Sequence, residues 1–319
     1  MDPHIDIDID IDIDIDIDID ICSLPKENWQ RDVHAVQLGG FWFMPESIKP
    51  ILRVINNFKP LPTDVIVATF PKTGTTWLKS LLYSILNRSS KHNLAVQHPH
   101  NLVPFLEVQV FAESDEPLLL AAPSDEPRIF STHIPCQLLA KTLDSSECKV
   151  VYLTRNPKDT LISMWHFVNK YKPDQSWSLD EATDSFCRGV GLYAPYYDHV
   201  IGYREQSLKR PENVMFVTFE EMMEDPRGYV KKLDDFLGCP FEDEDEVEEI
   251  VKNCSIEVLS NHDVKKSKES PSRIPLPYNA FFRKGKIGDH NNYLSDESIE
   301  RIDTLTRERF HSLGFMYGI

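Results

Sequence analysis

Apolar residues along the chain fall into short unbroken runs and into spaced helical series, and from residue 45 onward the two patterns alternate. "PESIKPILRVINNF" (45–58) has helical spacing, "DVIVATF" (64–70) is the continuous run of a buried strand, and "TTWLKSLLYSILNR" (75–88) is helical again. "RIFST" (128–132) and "CKVVYLT" (148–154) predict two more strands, the latter followed by "RNPKD" and the helical "TLISMWHFVNKY" (160–171). "NVMFVTF" (213–219) predicts a fourth strand. Helices are expected at 220–238, with Pro226 near a break, at about 243–254 and at 296–314. Apolar strands alternating with amphipathic helices imply an α/β fold, a P-loop-like three-layer arrangement with a central parallel sheet flanked by helices. Ligands of such sheets bind at the carboxyl ends of the strands, so the loops after Phe70, Thr132 and Thr154 should share one edge.

The N-terminus breaks this rhythm. From Ile5 to Ile21, Ile and Asp alternate strictly, as in a strand, yet eight aspartates on one face repel one another and Asp is a poor strand former. We expect residues 1–23 to be a disordered, solvated tail without a catalytic role, and 24–319 to be a single domain. The net charge of -17 falls to -9 without those eight aspartates and stays acidic, which argues against nucleic acid as a partner. No apolar run approaches the roughly 18 residues of a membrane helix, and no basic-then-apolar leader opens the chain. Six scattered cysteines without a C-x-x-C pair read as reduced thiols, and together these features predict a cytoplasmic protein.

Three loops on the predicted edge carry candidate chemistry. In "PKTGTTW" (71–77), Gly74 permits a tight turn close to an anion, Thr75 and Thr76 open a helix whose free amides attract negative charge, and Lys72 adds a cation from the strand side. A Walker A loop places its lysine after the glycines instead. An ordinary strand-to-helix turn capped by threonine would share these letters. In "YLTRNPKDTLISMW" (152–165), Arg155 is placed to clamp a phosphate and Ser163 lies about two turns into the helix. The plain alternative pairs Arg155 with a surface carboxylate, and Asp159 is expected to cap the helix. In "IFSTHIP" (129–135), His133 suits a general base, although a lone histidine is more often an ordinary loop or core residue. No spacing argues for a metal site.

Taken in order, "PKTGTTWLK", "STHIP", "RNPKDTLISMWHF" and "FRKGKIGDHNNYLS" resemble the cytosolic sulfotransferase family, in particular its plant members, over a stretch from about Leu24 to near the C-terminus. "HPHNLVPFLE" (98–107) and "CSIEVLSNHDV" (254–264) share the likeness. The resemblance implies 3'-phosphoadenosine 5'-phosphosulfate as sulfuryl donor. It places Lys72, Thr73, Gly74, Thr75 and Thr76 at the 5'-phosphosulfate and Trp77 against the adenine. Arg155, Ser163, Arg283, Lys284 and Gly285 fall at the 3'-phosphate. His133 falls at the catalytic base, with Lys72 at the bridging oxygen of the leaving phosphate. Phe41, Trp42 and Phe105 occupy places that border the family's acceptor pocket, though core aromatics would look the same.

The chain departs from the pattern at four positions. Phe219 replaces a tyrosine at the adenosine, Ile256 an aromatic that packs on adenine, and His290 a tryptophan, while Ser131 stands where animal members carry lysine. A lost stacking contact is worth about 1 kcal/mol, so the first three changes bear on donor affinity, whereas plant members often differ at the position of Ser131. The resemblance leads to a metal-independent sulfotransferase for a small hydroxylated, largely apolar acceptor of the plant metabolite or hormone class, and the poorly matching dimer segment near 291–300 to a monomer. A weakened member that only binds nucleotide or metabolite is the alternative. An NTP-dependent kinase would need a G-K-[ST] and a metal-binding aspartate, and the third strand ends instead in Thr154-Arg155.

Overall fold

A computed structural model describes residues 19–30, 33–88, 93–121, 127–171, 176–261, 269–274 and 276–319. The central sheet consists of β4 (Val65–Thr69), β5 (Ile129–Thr132), β6 (Lys149–Thr154) and β7 (Val214–Thr218). Its order is β5-β4-β6-β7 and every pairing is parallel, with Val65 opposite both Ile129 and Lys149. This is the expected α/β architecture. Alternate residues of each strand enter different cores, because successive side chains leave a strand on opposite faces. Ile66, Ala68, Val150 and Tyr152 join one core with the helices Ile48–Asn57, Pro157–Tyr171 and Tyr196–Lys209. Val65, Val67, Val151 and Leu153 join the other with the helices Thr75–Leu86 and Pro226–Leu237. Two covered faces explain why these strands read as continuous apolar runs.

The helical stretch expected at 220–238 breaks at Pro226 as anticipated, into Phe219–Glu224 and Pro226–Leu237. Pro226 has no N–H to continue the first, and the Asp225 carboxylate accepts from the Gly228 amide at 2.9 Å to start the second. A second sheet went unpredicted. The antiparallel strands β1 (Lys26–Gln30), β2 (Val33–Leu38) and β3 (Phe41–Phe43) pack Trp29, Val36, Phe41 and Phe43 onto the first core. Most of the expected tail lies outside the described residues. Its last part, Ile21–Ser23, forms a 3-10 turn capped by Asp20, and Ile19 and Ile21 pack on the core. Among the described residues no helix is long and apolar enough to cross a membrane.

Candidate active site

The carboxyl ends of β4, β5 and β6 open into one cavity of about 620 Å³. Lys72, Gly74, Thr75, Thr76, Trp77, Arg155, Ser163, Phe219, Arg283, Gly285, His133 and Phe105 all line it. Lys72, His133 and Arg155 meet because they follow the ends of parallel neighbouring strands, whereas Arg283 and Gly285 come from a loop near the end of the sequence that folds over this edge. Four of the expected residues lie elsewhere. Thr73 is fully buried, and its hydroxyl donates to the carbonyls of Phe70 (2.8 Å) and Leu153 (2.9 Å), so it braces the loop from behind. Lys284 turns to Asp289 at 2.8 Å. Phe41 and Trp42 sit in β3, where Phe41 is a core residue and Trp42 packs beside it, and neither reaches the cavity.

The anion loop has an unusual backbone. Gly74 has φ +118°, a conformation that favours glycine, and a methyl group there would press at 3.0 Å on both Leu153 and Phe219. Lys72 adopts φ +74°, rare for a side-chain-bearing residue. The helix Thr75–Leu86 begins directly after, and its first amides have no acceptor within the helix. The Thr75 hydroxyl is 2.8 Å from the Thr69 hydroxyl.

Positive charge gathers beside this loop. Burial, then Arg283, Arg155 and Lys170, lower the Lys72 pKa to about 7. Arg155 is buried against the Phe219 ring, 4.7 Å from its centroid, and donates to the Lys286 carbonyl at 2.7 Å. Among the described residues, Nε of Arg155 and Nε and Nη2 of Arg283 are buried without a hydrogen-bond partner. Guanidinium donors left unpaired beside a lysine depressed by its cationic neighbours fit a bound polyanion. Asp159 does not cap its own helix as expected. It accepts from the amides of Gly288 (2.8 Å) and His290 (2.9 Å) and from His290 Nδ1 (2.9 Å), tying the Arg283 loop to the helix of Arg155.

His133 is held on every side. Its amide donates to Glu107 at 2.8 Å, its carbonyl accepts from His199 at 2.9 Å, and its Nδ1 donates to the Thr69 carbonyl at 2.7 Å. That last bond puts the ring proton on Nδ1 and leaves Nε2 as a free base. Burial lowers the His133 pKa to about 3, so the ring is neutral near pH 7. Phe105 and Tyr193 flank it at centroid distances of 4.8 and 5.3 Å.

The family model for the sulfotransferase domain matches residues 62–314, nearly all of this sheet and its loops. The chain is a plant cytosolic sulfotransferase by family. It is 40% identical to cytosolic sulfotransferase 5 of Arabidopsis thaliana over 93% of this chain and 95% of that one. The crystal structure of an Arabidopsis thaliana putative steroid sulphotransferase superposes with a TM-score of 0.73 at 34% identity, covering 93% of each chain. A mouse sulfotransferase complexed with PAP shares the fold alone, with a TM-score of 0.68 at 24% identity over 86% of this chain and 94% of that one.

Several groups of this sulfotransferase site were not foreseen. Glu107 is buried and its carboxylate also accepts from Thr132 Oγ1 at 3.0 Å, making it the anchor of the His133 turn. Lys79 and His100 form a buried pair at 2.9 Å beside Phe105. Residues 317–318 back the Arg155 turn. The Tyr317 hydroxyl donates to Glu220, which accepts from the Asn156 amide at 3.0 Å, and the Gly318 carbonyl accepts from Asn156 Nδ2 at 3.1 Å. Each of these partners is distant in sequence, so only a chemically odd residue in an apolar helix, Lys79, offered a signal.

Proposed function

We propose that the protein transfers the sulfuryl group of 3'-phosphoadenosine 5'-phosphosulfate to the hydroxyl of a small, largely apolar acceptor, without a metal and as a single-domain cytoplasmic monomer spanning residues 24–319. The observation that carries this reading is one cavity that holds four cations and a neutral, oriented imidazole.

His133 Nε2 accepts the proton of the acceptor hydroxyl as its oxygen attacks sulfur. Lys72 supplies charge to the bridging oxygen as the bond to the leaving phosphate breaks, assisted by the first amides of the helix Thr75–Leu86. Arg155, Arg283 and Ser163 hold the 3'-phosphate, and Trp77 lies against the base. Phe219 keeps Trp77 in place by an edge contact at 5.4 Å between ring centroids. Phe105, Tyr193, Phe281 and Leu276 form the apolar wall that an acceptor of the metabolite or hormone class requires. The steroid in the description of the Arabidopsis neighbour falls within this class.

Transfer of labelled sulfate to a panel of hydroxylated metabolites should proceed without magnesium. It should collapse in His133→Ala and Lys72→Ala, and undiminished turnover in His133→Ala would exclude it as the base. Phe219 and Ile256, both in the cavity wall, favour a second reading in which the protein binds nucleotide and turns over poorly. Tight calorimetric binding of adenosine 3',5'-bisphosphate with no transfer to any acceptor would select that reading.

A further inference from the structure

Lys79 lies one turn beyond the anion loop, with its side chain fully buried. Its Nζ is 2.9 Å from His100 Nδ1 and 3.3 Å from the centroid of the Phe105 ring. His100 is itself buried, yet it lines the cavity, and its other nitrogen, Nε2, is 3.5 Å from the hydroxyl of Thr76 in the anion loop. Both His100 and His133 pack on the same Phe105 ring, at 5.2 and 4.8 Å. His100 therefore touches both the ring that flanks His133 and the anion loop.

The pair fixes which nitrogen of His100 carries a proton. Burial lowers the Lys79 pKa well below its usual value and Glu107 opposes this, while the Phe105 ring face 3.3 Å from Nζ favours the protonated amine, so Nζ donates and His100 Nδ1 accepts. Burial and the neighbouring Lys79 hold the His100 pKa well below its usual value, so the ring stays neutral. A neutral ring accepting at Nδ1 must donate at Nε2. The contact to Thr76 is at the outer limit of a hydrogen bond, which leaves that N–H available to a better acceptor.

We propose that His100 donates its Nε2–H to an oxygen of the transferring sulfuryl group, and that Lys79 is the positioning residue that sets this tautomer. No proton is transferred by His100; the bond strengthens as charge develops on the group, as at an oxyanion hole. The proposal rests on the sulfotransfer reading above.

Nitrogen-15 NMR of the histidine rings in the resting protein, with kinetics of His100→Phe, His100→Gln and Lys79→Met, tests it. We expect His100 in the Nε2–H form, moving toward the Nδ1–H form in Lys79→Met. Removing one such donor from an oxyanion site costs about 100-fold in kcat, so His100→Phe should lose about that much and Lys79→Met about tenfold. His100→Gln, which keeps an N–H, should recover part of the loss. Affinity for adenosine 3',5'-bisphosphate, which has no sulfuryl group, should stay within about twofold in all three variants. An Nδ1–H ring in the active protein, full kcat in His100→Phe, or parallel loss of kcat and bisphosphate affinity would each overturn the donor role. A wild-type protein that transfers no sulfate overturns the sulfotransfer reading itself, and the donor role with it.

Discussion

Binding of adenosine 3',5'-bisphosphate should draw a proton onto Lys72. The free protein holds the Lys72 pKa at about 7 through burial and the charges of Arg283, Arg155 and Lys170. A polyanion beside it reverses the largest electrostatic causes and favours the ammonium form. At pH 8 the free lysine, with a pKa of about 7, is about one-tenth protonated, so binding should take up about 0.9 proton. The sign follows: affinity is greatest below the free-state pKa and declines as pH rises through it. Between pH 7.5 and 9, where the ligand phosphates are already ionised, the dissociation constant should rise about 25-fold, or about 1.9 kcal/mol. Calorimetry in two buffers of different ionisation enthalpy reads the proton count directly. Lys72→Met should bind more weakly and show neither the uptake nor the slope. Uptake equal in Lys72→Met and wild type, or affinity flat across this window, would refute the assignment of Lys72 to the anion.

Gly74→Ala should cost about 2 kcal/mol of stability, since a left-handed conformation is unfavourable by about 1–2 kcal/mol for alanine and the new methyl meets Leu153 and Phe219; thermal denaturation checks it. Phe219→Leu removes the edge contact to Trp77 and the ring beneath Arg155, each worth about 0.5–1 kcal/mol, and should weaken bisphosphate binding by about fivefold to thirtyfold in calorimetry. Acid should destabilise the fold well above the carboxylate range. His133 and His199 have pKa values lowered to about 3 and about 4, so below about pH 6.5 the unfolded chain binds protons that the folded one refuses, at up to about 1.4 kcal/mol per pH unit for each ring. Glu107, whose pKa burial raises, offsets part of this. A melting temperature unchanged between pH 7 and 5 would contradict it.

The parallel sheet was legible because its strands are buried on both faces and carry no alternation to confuse with a helix. The antiparallel sheet was not, since β3 has only three residues and β1 shifts register between Asn28 and Gln30. Lys72, Gly74 and Arg155 could be placed because each sits at a strand end, where the backbone alone decides the edge it faces. Phe41, Trp42 and Phe105 were indistinguishable by type, and only Phe105 reaches the cavity, because a bridge to Ser131 beside β5 brings its segment there. Glu107 and His100 owe their positions to partners 26 and 21 residues away, a coincidence of folding that periodicity does not record.

The contacts of Tyr317 and Gly318 behind Arg155 also bear on how the site comes into being. Asn156 and Gly318 are 162 residues apart, a gap that a ribosome adding about 5–20 residues per second crosses in roughly 8–32 s. Throughout that interval the emerging chain has its anion loop and its base but no backing for the Arg155 turn, and Arg283 arrives late as well. A nascent or prematurely terminated chain would then assemble much of the sheet without a nucleotide grip. Quality control that probes for bound nucleotide would separate finished molecules from unfinished ones.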